Sequence, residues 1–397
     1  MNITKNKVVI AFSGGLDTTY CAVSLLRLGY EVITVYIDTI AADEEVSLNI
    51  AEWANSLGVS KHYTLRSSSE LYERFICPII KGNILRGGIY PICVGSERFI
   101  QAEGVVKIAH KENAKFVCHG CTGAGNDQVR FDIAIRSLDP SLTILAPIRD
   151  NQLTRSDTMS YLSDTGIIMP KKTQKYSINH GFLGRTIGGG DTHNSWHEVP
   201  EDVFTLTVSP ELAPDEARIV TLRFNAGLPV AIDGAEMTGT EILEYLNKVG
   251  GAHGVGRNYH IGDTILGIKG RLAFEAPGIT ILIQAHRDLE KLVLTKWQSV
   301  LKEQICAQYG MLYHEGLIMN PVMRDIEAFI DSTQKKVSGE VKLKLYKGQV
   351  SIIGCKSQYS LMTSKAQYGE QTTLYSGEDA AGFCKIYGLQ TMLSNQH

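Results

Sequence analysis

The chain has 397 residues, 44% hydrophobic and 20% charged, with a formal net charge of −3. That length fits two or three domains with substantial cores, and the slightly acidic balance argues against a nucleic-acid backbone as the main partner. No run approaches the ~20 apolar residues that span a bilayer, and the apolar stretch in "MNITKNKVVIAF" is too short for a secretory signal, so a cytoplasmic location is expected.

In chain order, the first half predicts an α/β fold. "VVIAF" (8–12) and "EVITVYI" (31–37) are apolar and β-branched, as buried parallel strands are. Between them "TTYCAVSLLRLG" carries helical spacing and closes at Gly29. "DEEVSLNIAEWANSLG" (43–58) repeats the pattern, with acids in its first turn and Gly58 at its end. "KFVCHG" (115–120) and "LTILAPI" (142–148) predict further strands around the helical "NDQVRFDIAIRSL". This alternation predicts a doubly wound parallel sheet. After about residue 168 the pattern becomes α+β. A hairpin is expected over 218–234 around "NAG", then a helix capped by Thr238 or Thr240. One long helical pattern runs from Gly278 to about Tyr309, and a second hairpin lies in "EVKLKLYKGQVSIIGCKS".

The eight cysteines read as reduced thiols. Cys118 and Cys121 have CxxC spacing, but a structural zinc site needs a second ligand pair and none is evident.

Two loops carry the chemistry. "AFSGGLDTTY" (11–20) joins a predicted strand to a predicted helix, so backbone N–H groups and a positive helix end converge on one anion site. Ser13, Thr18 and Thr19 add hydroxyl donors. The loop is neither a G-x-x-x-x-G-K-[ST] nor a G-x-G-x-x-G sequence. Asp17 is the informative residue, because a carboxylate beside bound phosphate is repulsive unless a divalent cation lies between them, which points to Mg²⁺. The alternative is a tight turn with a capping Asp. "HGCTGAGNDQVRF" (119–131) likewise follows a strand and opens a helix, with Thr122, Asn126 and Asp127 in the loop and Arg130 one turn on. Here the alternative is a glycine-rich loop capped by Asn126 or Asp127. In a parallel sheet both loops lie at the carboxyl ends of their strands, where α/β proteins bind ligands.

"AFSGGLDTT" resembles the pyrophosphate-binding loop of the N-type ATP pyrophosphatases, and "HGCTGAGNDQVRF" resembles the second signature of the argininosuccinate synthases. "LNKVGGAHGVGR" (246–257), "EAPGITILIQAHRDLE" (275–290), "GEVKLKLYKGQV" (339–350) and "DAAGFCKIYGL" (379–389) extend the resemblance over roughly residues 7–389. It implies an adenine nucleotide alpha hydrolase-like ATP-binding domain over 1–168, a synthetase and oligomerisation domain over 169–365 and a C-terminal arm over 366–397 in a homotetramer. It also implies a reaction. The ureido oxygen of citrulline attacks the α-phosphorus of ATP and pyrophosphate leaves; the amine of aspartate then attacks the ureido carbon and AMP leaves. By resemblance, Ala11, Phe12, Ser13, Gly14, Gly15, Leu16, Asp17, Thr18, Thr19, Ile37 and Gly120 bind ATP. Thr122, Asn126 and Asp127 bind aspartate, and Tyr90, Asn126, Arg130, Ser177 and Thr186 bind citrulline. Asp17 and Arg130 are the expected catalytic residues, and Asp17 also the metal ligand.

The chain departs from the family where the amino-acid end of citrulline is expected. Ala124 replaces the usual Lys, Gly95 a serine, Thr186 a serine, Gly188 and Gly262 a Glu each, and Phe274 a Tyr. "NHGF" (179–182) stands where Asp-Glu-Asn-Leu is usual, and Gly270 where a larger side chain is. The departures suit either free citrulline, with water or His260 replacing the lost contacts, or a citrulline whose amine is acylated, such as N-acetyl- or N-succinyl-citrulline. A non-catalytic nucleotide-binding protein is the reading from a different class.

Overall fold

A computed structural model describes residues 5–40, 44–169 and 175–396. Asp43, at the expected start of the second helix, lies outside them. The first layer alternates as the sequence predicts: β1 (Lys7–Ala11), α1 (Leu16–Arg27), β2 (Glu31–Asp38), α2 (Glu44–Ser56) and β3 (Lys61–Arg66). After the short helices α3 (Ser68–Leu71) and α4 (Cys77–Gly82) come α5 (Glu97–Glu112), β4 (Phe116–Cys118), α6 (Asp127–Leu138), β5 (Thr143–Leu145), α7 (Pro147–Asp150) and α8 (Arg155–Asp164). The five strands form one parallel sheet in the order β3-β2-β1-β4-β5. Val8, Val9, Ile10, Val32, Ile33 and Val35 are all buried, which is why β1 and the start of β2 read as unbroken apolar runs.

This strand order positions the site. From β1 the chain runs outward through β2 and β3, then returns to place β4 on the other side of β1. The switch point therefore lies between β1 and β4, and a crevice opens beyond their carboxyl ends. The two glycine loops follow these two strands.

The second half holds two antiparallel sheets. One has the order β11-β12-β7-β6, from β6 (Ser177–Gly181), β7 (Gly184–Gly188), β11 (Arg257–Asp263) and β12 (Lys269–Glu275). The other has the order β10-β9-β8-β13-β14, from β8 (Arg218–Asn225), β9 (Leu228–Ile232), β10 (Ala235–Glu236), β13 (Gly339–Tyr346) and β14 (Gln349–Lys356). Both expected hairpins form, and Thr238 caps α9 (Gly239–Ala252) in a reciprocal box with Glu241. The eight cysteines are free, and among the described residues no helix is long and apolar enough to cross a membrane.

The long helical pattern is corrected. It is two helices, α10 (Pro277–Val293) and α11 (Lys296–His314), followed by α12 (Pro321–Gln334). Apolar spacing continues across the junction, so periodicity alone does not reveal it. The break is chemical: Thr295 leaves helical geometry, accepts from Gln298 N, and its own N–H is taken by Gln298 Oε1 at 3.0 Å. The chain ends in α13 (Gly377–Tyr387) and α14 (Leu389–Ser394), neither of which buries a residue.

Thr295→Ala removes the cap and should cost about 1 kcal/mol, seen as a lower denaturant midpoint at unchanged slope. An unmoved midpoint means that packing alone sets the break.

Candidate active site

A cleft of about 830 Å³ opens at the switch point and runs from the first loop to the second half's β11–β12 hairpin. Ala11, Phe12, Ser13, Gly15, Leu16, Asp17, Thr18 and Ile37 line one end, Gly120, Thr122, Asn126, Asp127 and Arg130 the middle, and Tyr90, Ser177, Thr186 and Gly262 the other. Gly14, Thr19, Gly95 and Phe274 lie off it.

The first loop is shaped from behind. Gly14 takes φ +72, and a Cβ there would meet Ile50 and Trp53 of α2 at 3.7 Å. The Thr19 hydroxyl is buried and accepts the Trp53 indole N–H at 3.0 Å, so it fixes the loop's back instead of facing the cleft. No side chain caps α1, which leaves its first-turn N–H groups open to an anion. The two loops touch at Gly120, where a Cβ would lie 3.1–3.2 Å from Asp17. A larger residue there would press on the Asp17 backbone and push the two loops apart by a few tenths of an ångström. Burial raises the Asp17 carboxyl above its ordinary range, partly opposed by Arg155.

The second loop is held by His119, which sequence reasoning passed over. Its Nδ1 accepts from Cys121 N at 3.3 Å, so the proton sits on Nε2, 2.9 Å from Asp132. The expected cap at Asn126 makes no capping bond. Asn126 Oδ1 instead accepts from Ile265 N at 2.8 Å and, with Arg86 donating to Asp263 O, holds the β11–β12 turn over the cleft.

Asp127 lies between two guanidiniums, Arg98 at 2.8 Å and Arg130 at 3.1 Å. Burial alone would raise its carboxyl, but Arg98 and Arg130 more than offset that and hold it below the usual carboxylate range. Arg130 also donates through Nε and Nη2 to His314 O of α11, at 3.2 and 2.9 Å. His314 Nδ1 accepts from the same guanidinium at 3.2 Å, and burial followed by Arg130 and Arg86 pushes the ring down to about 3.

At the far end Tyr90 stacks on His260 and meets Phe274 at a tilt, with both ring centroids 5.2 Å away. Phe274 thus supports Tyr90 from the core. A Cβ on Gly95 would meet Ile92 at 2.9 Å, so this glycine accommodates packing and adds no space to the cleft. Behind this end, buried Glu97 accepts from Phe182 N at 2.8 Å and ties the β6–β7 turn to α5; burial raises its carboxyl to about 7. Arg86, Arg98, Arg155 and Arg271 also line the cleft. They come from four separate segments, and no spacing in the sequence marks them.

This parallel sheet, with a phosphate-type loop at its switch point and a second half closing over it, defines a nucleotide-activating ligase built on an HUP domain. The comparisons identify which one. Residues 7–168 match the arginosuccinate synthase N-terminal HUP domain and residues 176–394 the arginosuccinate synthase C-terminal domain. The chain is 40% identical over 393 residues to the argininosuccinate synthase of Methanospirillum hungatei, covering 98% of each chain. It is 40% identical over 387 residues to that of Methanocaldococcus jannaschii, covering 97% of each, and 40% identical over 389 residues to that of Pyrococcus furiosus, covering 98% of this chain and 94% of the relative. The chain belongs to the argininosuccinate synthase family of carbon–nitrogen ligases.

Proposed function

We propose that this chain condenses citrulline with aspartate at the cost of ATP, in the cytoplasm, and that the residues assembled around the cleft do so in two displacements. In the first, a bond forms between the ureido oxygen and the α-phosphorus, the bond to the β-phosphate oxygen breaks, and pyrophosphate leaves. In the second, the aspartate amine bonds to the ureido carbon, the carbon–oxygen bond to AMP breaks, and the amine gives up its proton. Neither step needs an enzyme nucleophile, so catalysis comes from positioning and from donors aimed at developing charge. The observation that carries this reading is the meeting of the two loops at Gly120 and Asp17. It sets the nucleotide loop directly beside Thr122, Asn126, Asp127 and Arg130.

The donor set fits Mg²⁺. Asp17 is one inward carboxyl beside a phosphate-type loop, and among the described residues no group of three or more acidic, His or Cys side chains forms a metal cage. Mg²⁺ takes one or two carboxylates and fills its remaining positions with water and substrate phosphate. Bound there, it would neutralise phosphate charge. We also propose domain limits at 168 and 365 and a homotetramer. In support of an assembly, α13 and α14 expose Phe383, Ile386, Tyr387, Leu389, Met392 and Leu393, apolar side chains that a partner chain could cover.

A second reading concerns the acceptor. Gly262 and Gly270 face each other across β11 and β12, and both line the cleft. A Cβ on Gly270 meets nothing within 4 Å, whereas one on Gly262 meets His260 Nε2 at 2.6 Å. Arg86 and Arg271 stand at this end, and among the described residues neither has an ion-pair partner within 4 Å. Asp127 is already shared by two arginines, and Asp263 is paired with Lys269 at 2.6 Å. Among the described residues, an α-ammonium entering here meets no unshared carboxylate, and the nearby His260 ring has its pKa lowered by burial and then by Arg86. An acylated amine carries no charge to match and has the space beside Gly270.

Four measurements test these readings. Asp17→Asn should slow pyrophosphate release and argininosuccinate formation together, by ~10²–10³. Asp127→Asn should spare citrulline-dependent pyrophosphate release and stop argininosuccinate formation; equal loss of both products assigns Asp127 to the nucleotide or to loop shape. Light scattering on the intact chain should give a tetramer, and a monomer mass overturns the assembly. For the acceptor, kcat/KM is compared for citrulline, N-acetyl-citrulline and N-succinyl-citrulline. Preference for an acylated form that moves toward citrulline in Gly270→Glu supports the second reading, and preference of the parent for free citrulline ends it.

A further inference from the structure

Among the described residues, five arginines and no lysine line the cleft. Arg98 and Arg130 are engaged with Asp127, and Arg86 and Arg271 stand at the acceptor end. That leaves Arg155. It is the first residue of α8, one position beyond the Thr154 cap, whose hydroxyl accepts from Asp157 N at 3.2 Å. Helix α8 lies against α1, with Tyr161 meeting Tyr20 edge-on at 4.9 Å and Arg27 over the Tyr161 ring. Helix α8 is thereby fixed along α1, and Arg155 lines the same cleft as Ser13, Gly15, Asp17 and Thr18. The loop carries no lysine of its own. Asp17, the nearest charged group of the loop, registers Arg155 as its opposing charge. No hydrogen bond or ion pair to another described residue occupies the guanidinium.

We propose that Arg155 is the cation that grips the β- and γ-phosphates of ATP and holds the leaving pyrophosphate. The inference rests on the nucleotide reading of the first loop. When the α-phosphorus–oxygen bond breaks, its electron pair stays on the bridging oxygen, and the departing group gains charge on the β-phosphate side. The loop's N–H groups bind that charge from below. Arg155 closes on it from the neighbouring helix with a planar, permanently charged fork suited to phosphate oxygens. AMP, which leaves in the second step, lacks these phosphates, so Arg155 discriminates between the leaving groups of the two steps.

The test measures binding of pyrophosphate and of AMP, each with Mg²⁺, by titration calorimetry on the intact parent, Arg155→Met and Arg155→Lys. Arg155→Met should weaken pyrophosphate about tenfold to a hundredfold and leave AMP unchanged, and Arg155→Lys should recover most of the loss. In turnover the pyrophosphate inhibition constant should rise in step, with KM for aspartate unmoved. Arg155 is exposed, so an unchanged melting temperature is expected for both variants. Equal weakening of AMP and pyrophosphate, or parent-like pyrophosphate binding by Arg155→Met, overturns the assignment and leaves the nucleotide reading standing. A parent that binds neither ligand overturns both.

Discussion

One carboxylate organises the cleft. Asp127 neutralises Arg98 and Arg130 together, and Arg130 passes the connection on to the backbone of His314. That chain of contacts joins α5, α6 and α11, so the helix that opens from the second loop is pinned to both halves of the molecule. Arg130 is buried but Asp127 and Arg98 are partly exposed to the cleft, so breaking the set from one side costs less than the ~3–5 kcal/mol of a fully buried pair. The same pairing keeps Asp127 ionised, while the His314 carbonyl holds the Arg130 guanidinium from its other side.

The fold was largely legible because its first half obeys a simple rule. Strands buried on both faces must be nearly all apolar, and Val8–Ile10 and Val32–Val35 are, with Thr34 the one polar residue among them. The glycine loops were legible for a related reason, since only a few residue types allow a chain to turn tightly and approach an anion. Arg98, Arg155 and His314 were not legible, because nothing local distinguishes an arginine that reaches a cleft from one that reaches solvent. The junction at Leu294 was hidden for another reason. Two amphipathic helices in succession keep their apolar spacing, and only the pair Thr295 and Gln298 records the break.

Charge is divided along the cleft. The nucleotide end carries a lone carboxyl that burial makes uncomfortable and one unpaired arginine. The acceptor end carries Arg86 and Arg271 with the His260 and His314 rings, whose pKa values burial lowers, and among the described residues its acidic groups are already paired. A phosphate-bound cation suits the first environment, and an acceptor that brings negative charge suits the second. The middle is electrically settled by Asp127, so neither end has to reorganise the other as ligands enter.

Positions behind the cleft explain why a signature is longer than its set of contacts. Thr19 and Gly14 belong to the first loop's resemblance yet face Trp53 and Ile50. His119 opens the second loop and spends both ring nitrogens on holding it, one on Cys121 N and one on Asp132. Glu97 secures the β6–β7 turn through Phe182 N, and Phe274 backs Tyr90. A loop that must present several N–H groups to one phosphate has little tolerance for backbone drift. The residues fixing its back are therefore as constrained in type as those facing the ligand, and a sequence match cannot separate the two until the direction of each side chain is known.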